Sequence, residues 1–203
     1  TAQNREQSVN DVPIAIDVVN AEALQQAGFG GMNDIAKIAP VVQLNQDQGT
    51  VKVTVRGVGT NSNDESQDTS VVINIDGEYM NRPQALSVAL FDLERVEVLR
   101  GPQGTLYGKN TVGGAVLLHT RKPSGELGGQ ATVTAGDYGR LDGKGYVEFP
   151  VTDDLAASLA VLSKNRDPFV DNTLGDDIWD EDNRALRGAV RWTPGDVLTI
   201  DYA

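Results

Sequence analysis

The sequence predicts a small α+β domain over residues 1–123, followed by a run of antiparallel strands over 124–203. Three observations carry this reading. Short strand-like and short helical segments intermix as far as Pro123. Beyond Pro123 helix signals vanish and long segments of alternating polarity take over. Between them lies Leu93–Leu118, LERVEVLRGPQGTLYGKNTVGGAVLL, a strand that breaks into a turn-rich stretch and re-forms as an apolar run. Five glycines and a proline fall between Arg100 and Gly114. Glycine at that density marks backbone at positive φ or in close approach to a neighbour, so the segment reads as architectural.

In order, residues 1–12 are polar. Ile14–Val19 is a predicted strand, with Pro13 at its start, where proline is tolerated. Asn20 is an N-cap for a short helix, Ala21–Gln26, stopped by Gly28. Asn33 or Asp34 caps a second helix through Ile38. Val41–Leu44 is a short strand, Gln46–Thr50 a turn, and Val51–Val55, alternating and β-branched, another strand. RGVG leads into a polar loop, Thr60–Asp68. Val71–Ile75 is a strand closed by the turn dipeptide Asp76-Gly77. Glu78–Pro83 is a loop, Gln84–Leu90 a helix and Arg95–Leu99 a strand.

After Pro123 the alternation is clear. Leu141, Gly143, Gly145, Val147 and Phe149 oppose Asp142, Lys144, Tyr146 and Glu148. Leu186, Gly188, Val190 and Trp192 oppose Arg187, Ala189 and Arg191, and Leu155, Ala157, Leu159 and Val161 form a third row. A soluble sandwich also alternates, with its apolar face inward. The connections favour an outer-membrane barrel: Phe149 and Trp192 precede short turns, whereas the other end holds the long loop Arg166–Asn183.

Composition excludes several classes. Net charge is −12, divided −4 and −8 at Pro123, which argues against a nucleic-acid partner. There are no cysteines. No apolar run reaches the ~18 residues of a membrane helix, but a membrane strand needs only ~9–11. No signal peptide is evident, and both ends read as cut, so a fragment is expected. No catalytic residue, cofactor or metal is expected. His119 is the sole histidine and lies in a β run, as a surface residue rather than an acid–base group. Gly101–Gly108 lacks the Gly-Lys-Ser/Thr ending of a phosphate loop, and Gly57 and Gly59 lack the third glycine of a dinucleotide fingerprint. Asp153-Asp154 and Asp176-Asp177 are adjacent pairs that point apart. The loop Arg166–Asn183 holds seven acids without a calcium-loop pattern; it reads as solvated, with Trp179 available to cap an external ligand.

Four pieces, in order, carry a resemblance: TAQNREQSVNDVPIAI at the start, VTVRGVG at 53–59, VINIDGEYM at 72–80 and LERVEVLRGPQGTLYGKNTVGGAVLLHTRKP at 93–123. The sequence resembles the plug domain of TonB-dependent outer-membrane receptors, and residues 124–203 resemble, more loosely, the first strands of their barrel. The resemblance implies a plug inside a barrel of about 22 strands. At ~10 residues per strand, the second part supplies four strands and part of a fifth, an incomplete outer-membrane β-barrel. Thr1-Ala2-Gln3 looks like the tail of a TonB box lying mostly upstream. The usual INIVTRKP ending is VLLHTRKP here, which leaves His119 without an expected role.

By the same resemblance, Arg56 and Arg100 are latch residues that pair with barrel-wall glutamates. Those partners are expected beyond Ala203, leaving both arginines exposed or misplaced here. Ligand contacts are expected from two apical loops, at Asn61, Asn63, Tyr79, Asn81, Arg82 and Gln84, suited to an oxygen-rich ligand. The implied protein is an energy-coupled importer of the Gram-negative outer membrane, in contact with its lipid, TonB and a small ligand. A ferric siderophore is the first expectation for cargo, with a carbohydrate, vitamin or haem as alternatives. The rivals are a non-transporting surface receptor or signalling plug, and a soluble α+β binding protein with a β-sandwich.

Overall fold

The computed structural model describes residues 15–26, 39, 41–47, 50–59, 70–80, 91–108, 110–175, 178–195 and 197–203. The helices expected at 33–38 and 84–90 and the loop at 60–68 lie outside the described residues. The chain divides into two compact units, Thr1–Thr120 and Arg121–Ala203.

In the first unit the elements are β1 (Ile16–Asn20), α1 (Ala21–Gln26), β2 (Val42–Asp47), β3 (Thr50–Val55), β4 (Val58–Gly59), β5 (Val71–Ile75), β6 (Glu78–Tyr79), β7 (Leu93–Arg100), α2 (Gly104–Tyr107) and β8 (Gly114–Thr120). Asn20 caps α1 as expected: its side-chain oxygen accepts from the Ala23 N–H at 2.9 Å. The main sheet has the order β1-β7-β8-β5-β6, antiparallel except for the β5–β8 pair. A second sheet runs β2-β3-β4.

The runs VVINI, VEVL and GAVLL lack a clean period of two because the main sheet is covered on both faces. Val96, Val98, Val116, Leu118, Val71 and Ile73 pack on one face with Leu24, Val42, Val53 and Val55. Val72, Leu99, Ala115 and Leu117 form the other cluster, against Ile16 and Tyr107. Each fully buried valine or leucine contributes about 1.5–3 kcal/mol.

Several readings of this unit need correction. Glu78–Tyr79 is not loop; it folds back on β5 as β6. Gln46, Asp47 and Thr50 are not turn; they lengthen β2 and β3, with Asp47 opposite Thr50, and Val58–Gly59 folds back on β3. Arg56-Gly57 and Asp76-Gly77 are two-residue turns with positive φ at both positions, the conformation that matches the twist of a tight hairpin. The glycine-rich stretch also contains α2, a single helical turn that the sequence reading missed.

The second unit is one antiparallel sheet of β9 (Gly128–Ala135), β10 (Leu141–Thr152), β11 (Leu155–Arg166), β12 (Glu181–Trp192) and β13 (Ile200–Tyr202), in sequential order. The β10 strand continues through Pro150, which was expected to start a turn. Pro150 falls where β9 pairing has ended at Glu148 and a bulge follows, a setting that tolerates a missing donor.

The sheet's polarity is inverted relative to a soluble sandwich. On β11 the alternate positions Ala156, Ser158, Ala160, Leu162 and Lys164 are buried, while Leu159 and Val161 are more than two-fifths exposed. Across the sheet Val147 pairs with Leu159, Phe149 with Ala157, and Ala157 with Val190, which pairs with Tyr202. The exposed face is thus an apolar band, and the other face carries Asp142, Ser158 and Lys164. Phe149, Trp192 and Tyr202 are exposed towards the short-turn end. This distribution fits a lipid-facing exterior.

Candidate functional site

Of the residues singled out by the sequence, Arg100 and the backbone of Arg56 meet at one corner of the first unit, whereas Tyr79 lies on the opposite edge strand of the main sheet. Arg100 ends β7, paired with Gly114 of β8. Its N–H donates to the Ala15 carbonyl at 3.0 Å, just before β1. Its side chain does not match the expectation of exposure or misplacement. Nε donates to Asp17 Oδ2 at 2.9 Å and Nη2 donates to Asp17 Oδ1, a two-pronged ion pair. The physical reason is register. Asp17 faces Val98, so it lies diagonally across from Arg100 on the same sheet face, within reach of a long side chain. Motif positions alone did not reveal that register.

The pair borders a cleft of about 500 Å³ lined by β1 residues with Ala39, Val41 and Arg100. Arg56 approaches the same place through its backbone, its N–H donating to the Val41 carbonyl at 3.1 Å. The Arg56 side chain is exposed at the hairpin turn, as expected. Tyr79, on edge strand β6, is also exposed. Asn61, Asn63, Asn81, Arg82 and Gln84 lie outside the described residues.

The glycine-rich stretch closes on itself. Gly101 N–H donates to Gly113 O at 3.3 Å, Gln103 N–H to Thr111 O at 3.0 Å, and Thr111 Oγ1 to Gly108 O at 2.8 Å. The paired glycines at its end sit where three strands converge. A Cβ at Gly113 would lie 3.0 Å from both Val58 O and Val71 Cγ2, and one at Gly114 would collide with Leu99 O.

On the opposite face of β7 is a charged cluster that sequence reasoning did not identify. Glu97 is 2% exposed. Arg95 Nε donates to its Oε1 at 2.8 Å, and His119 Nε2 lies 3.3 Å from the same oxygen. Burial pushes the Glu97 carboxyl up, but His119 and Arg95 outweigh burial and hold it well below 4.5. Burial, with the Glu97 charge, pushes the Tyr107 hydroxyl up. The available signal was an acid between two valines, in VEV. His119 is therefore a partner of Glu97 between adjacent strands.

In the second unit the segment following Thr120 is fastened to the sheet's polar face. The Arg121 guanidinium lies 4.4 Å from the Tyr146 ring centre, and the Arg121 carbonyl accepts from Arg187. Lys122 reaches Asp201 at 2.8 Å, which also binds Arg191, and the Ser124 N–H donates to Glu148. At the other end of the strands, Phe169 packs between Tyr138 and Trp179, with Arg166 over its ring. Phe169 thus joins the long loop to the 136–140 turn, and Trp179 packs on it from within the same loop. Of the consecutive acids Asp180, Glu181 and Asp182, the last two lie in β12, near Lys164 and Arg184 respectively.

Residues 8–115 match the TonB-dependent Receptor Plug Domain family. The chain is 27% identical to an iron-regulated outer membrane virulence protein of Vibrio cholerae, over 82% of this chain and 27% of that protein. It is 26% identical to a ferrioxamine B receptor of Salmonella typhimurium, over 77% of this chain and 23% of that receptor. The solved ferric yersiniabactin uptake receptor of Yersinia pestis superposes with a TM-score of 0.81 at 26% identity, over 95% of this chain and 31% of that one. The chain therefore spans about a quarter of the length of these curated relatives. The family is one of receptors rather than enzymes. The chain belongs to the TonB-dependent receptors of the outer membrane, and it carries their plug domain followed by antiparallel strands of an incomplete barrel.

Proposed function

We propose that this chain is the plug and opening barrel wall of an active importer that draws a ferric siderophore across the outer membrane, coupled to TonB through a segment preceding the plug. The observation that carries the reading is a sheet covered on both faces, followed along the chain by an antiparallel sheet whose apolar face is exposed. Relatives named for iron regulation, ferrioxamine B and ferric yersiniabactin support the cargo class. In this reading Arg56 and Arg100 are the arginines that latch plug to wall. Tyr79, with Asn61, Asn63, Asn81, Arg82 and Gln84, faces the ligand.

Deleting the gene and measuring growth and radiolabelled uptake on a panel of ferric siderophores tests this. Loss of uptake for at least one, restored by the full-length receptor, is the expected result. Unchanged iron uptake overturns the siderophore assignment, and a defect confined to haem, a vitamin or a carbohydrate replaces it.

A further inference from the structure

We propose that Asp17 fastens Arg100 to β1, so that docking of the plug's first strand and setting of the latch arginine are a single event. The inference rests on the plug reading above.

The first support is topological. Among the described residues strand β1 is an edge strand, bonded within its sheet to β7 through five residue pairs. An edge strand can leave without breaking the rest of a sheet. The second support is where Arg100 is held. Its backbone N–H binds Ala15 and its guanidinium binds Asp17. Both contacts lie at the end of β1 nearest the N-terminus, so a pull on the preceding segment loads them before the pairs at Val19 and Asn20.

The third support is the guanidinium's remaining capacity. Arginine has five N–H donors in a fixed fork, and Asp17 engages Nε and Nη2. The side chains of Arg100 and Asp17 are 27% and 32% exposed, and both residues line the adjoining cleft. A planar fork gripped along one edge presents its other edge in a defined direction. The chemistry that fits that edge is a second carboxylate, as on a barrel wall. Asp17 is thus a positioning residue. When β1 departs, Arg100 loses its orienting carboxylate and its backbone partner together, and its grip on the wall slackens. The Arg95–Glu97–His119 cluster faces the other side of β7 and keeps its contacts.

The test uses full-length receptor in detergent micelles and hydrogen–deuterium exchange over 15–20. Asp17→Asn and Arg100→Gln are each expected to speed β1 exchange about tenfold, the scale of one charge-assisted hydrogen-bonded pair. The double variant should be no faster than the faster single, and Asp17→Glu, which keeps the charge, should stay near wild type. Exchange over β5 and β8 should not change. Unchanged β1 exchange in the single variants, or additive effects in the double, overturns the fastening. Siderophore uptake is measured separately in cells. A wild-type receptor that imports nothing defeats the proposed function and leaves the exchange result standing; normal uptake with unchanged exchange defeats the fastening alone.

Discussion

Replacing Leu159 by arginine separates a lipid-facing sheet from a water-facing one. Leu159 is the fifth of twelve residues in β11. At about 3.3 Å per residue it lies ~13 Å along the strand from Leu155. With a strand tilt of roughly 35–45° that becomes about 10 Å of depth, near the middle of an apolar band ~25 Å tall. Its side chain is exposed, and its cross-strand neighbours are Val147 and Gly188. An arginine there meets hydrocarbon with no partner and costs about 2–4 kcal/mol, whereas near the interface the cost is about 0–1 kcal/mol. Trp192, the last residue of β12, supplies the interfacial comparison. The assay is urea-titrated folding of the full-length receptor into phospholipid vesicles, read by the heat-modifiable gel shift of folded barrels. Leu159→Arg should lower stability by about 2–4 kcal/mol and Trp192→Arg by at most about 1 kcal/mol. Were the face solvated, both would fall within about 0.5 kcal/mol of wild type. That outcome, or equal costs at the two depths, refutes the lipid-facing assignment.

Three further outcomes concern the plug. Gly114 has φ 143° and its Cβ would strike the Leu99 carbonyl; Gly114→Ala should destabilise the β7–β8 joint by about 2–4 kcal/mol, read as faster exchange in both strands, and unchanged exchange would count against the close approach. The Glu97 carboxyl is held below its ordinary 4.5 when folded, so its contribution is present above about pH 4.5 and is lost as pH falls towards the depressed value; denaturation midpoints from pH 7 to 3 should fall less steeply in Glu97→Gln, and an equal slope contradicts the assignment. Asn20→Ala removes the cap bond to Ala23 and should cost about 0.5–2 kcal/mol, seen as lost protection confined to α1 and the end of β1.

What could be read from sequence was whatever a short window encodes. Asn20 capping Ala21–Gln26, the turn at Asp76-Gly77 and the alternation of β10, β11 and β12 all follow from adjacent residues. The missed features depend on pairing between distant segments. Nothing near Arg100 announces that Asp17, 83 residues earlier, will lie diagonally across from it. His119 looked functionless because its partner comes from the neighbouring strand. The Tyr79 strand was read as loop because two residues are too few to show a period, and only the turn before them marked the reversal.

The two charge centres on β7 differ in a way that orders their release. Arg95, Glu97 and His119 tie β7 to β8 with Glu97 almost wholly buried. Separating those strands breaks the Glu97–His119 contact, which crosses from β7 to β8, and strips the apolar cover from a carboxylate that stays paired with Arg95 on its own strand. Arg100 and Asp17 tie β7 to β1 beside a cleft, where water replaces a lost partner and the cost stays near that of one charge-assisted hydrogen bond, about 1.5 kcal/mol. Backbone pairing sharpens the contrast: among the described residues β8 is bonded on both sides, by β7 and β5, whereas β1 is bonded on one. A load entering from the N-terminal side therefore opens the β1–β7 joint while β7–β8 still holds. The arginine is unfastened at the first step, with the core of the plug still assembled.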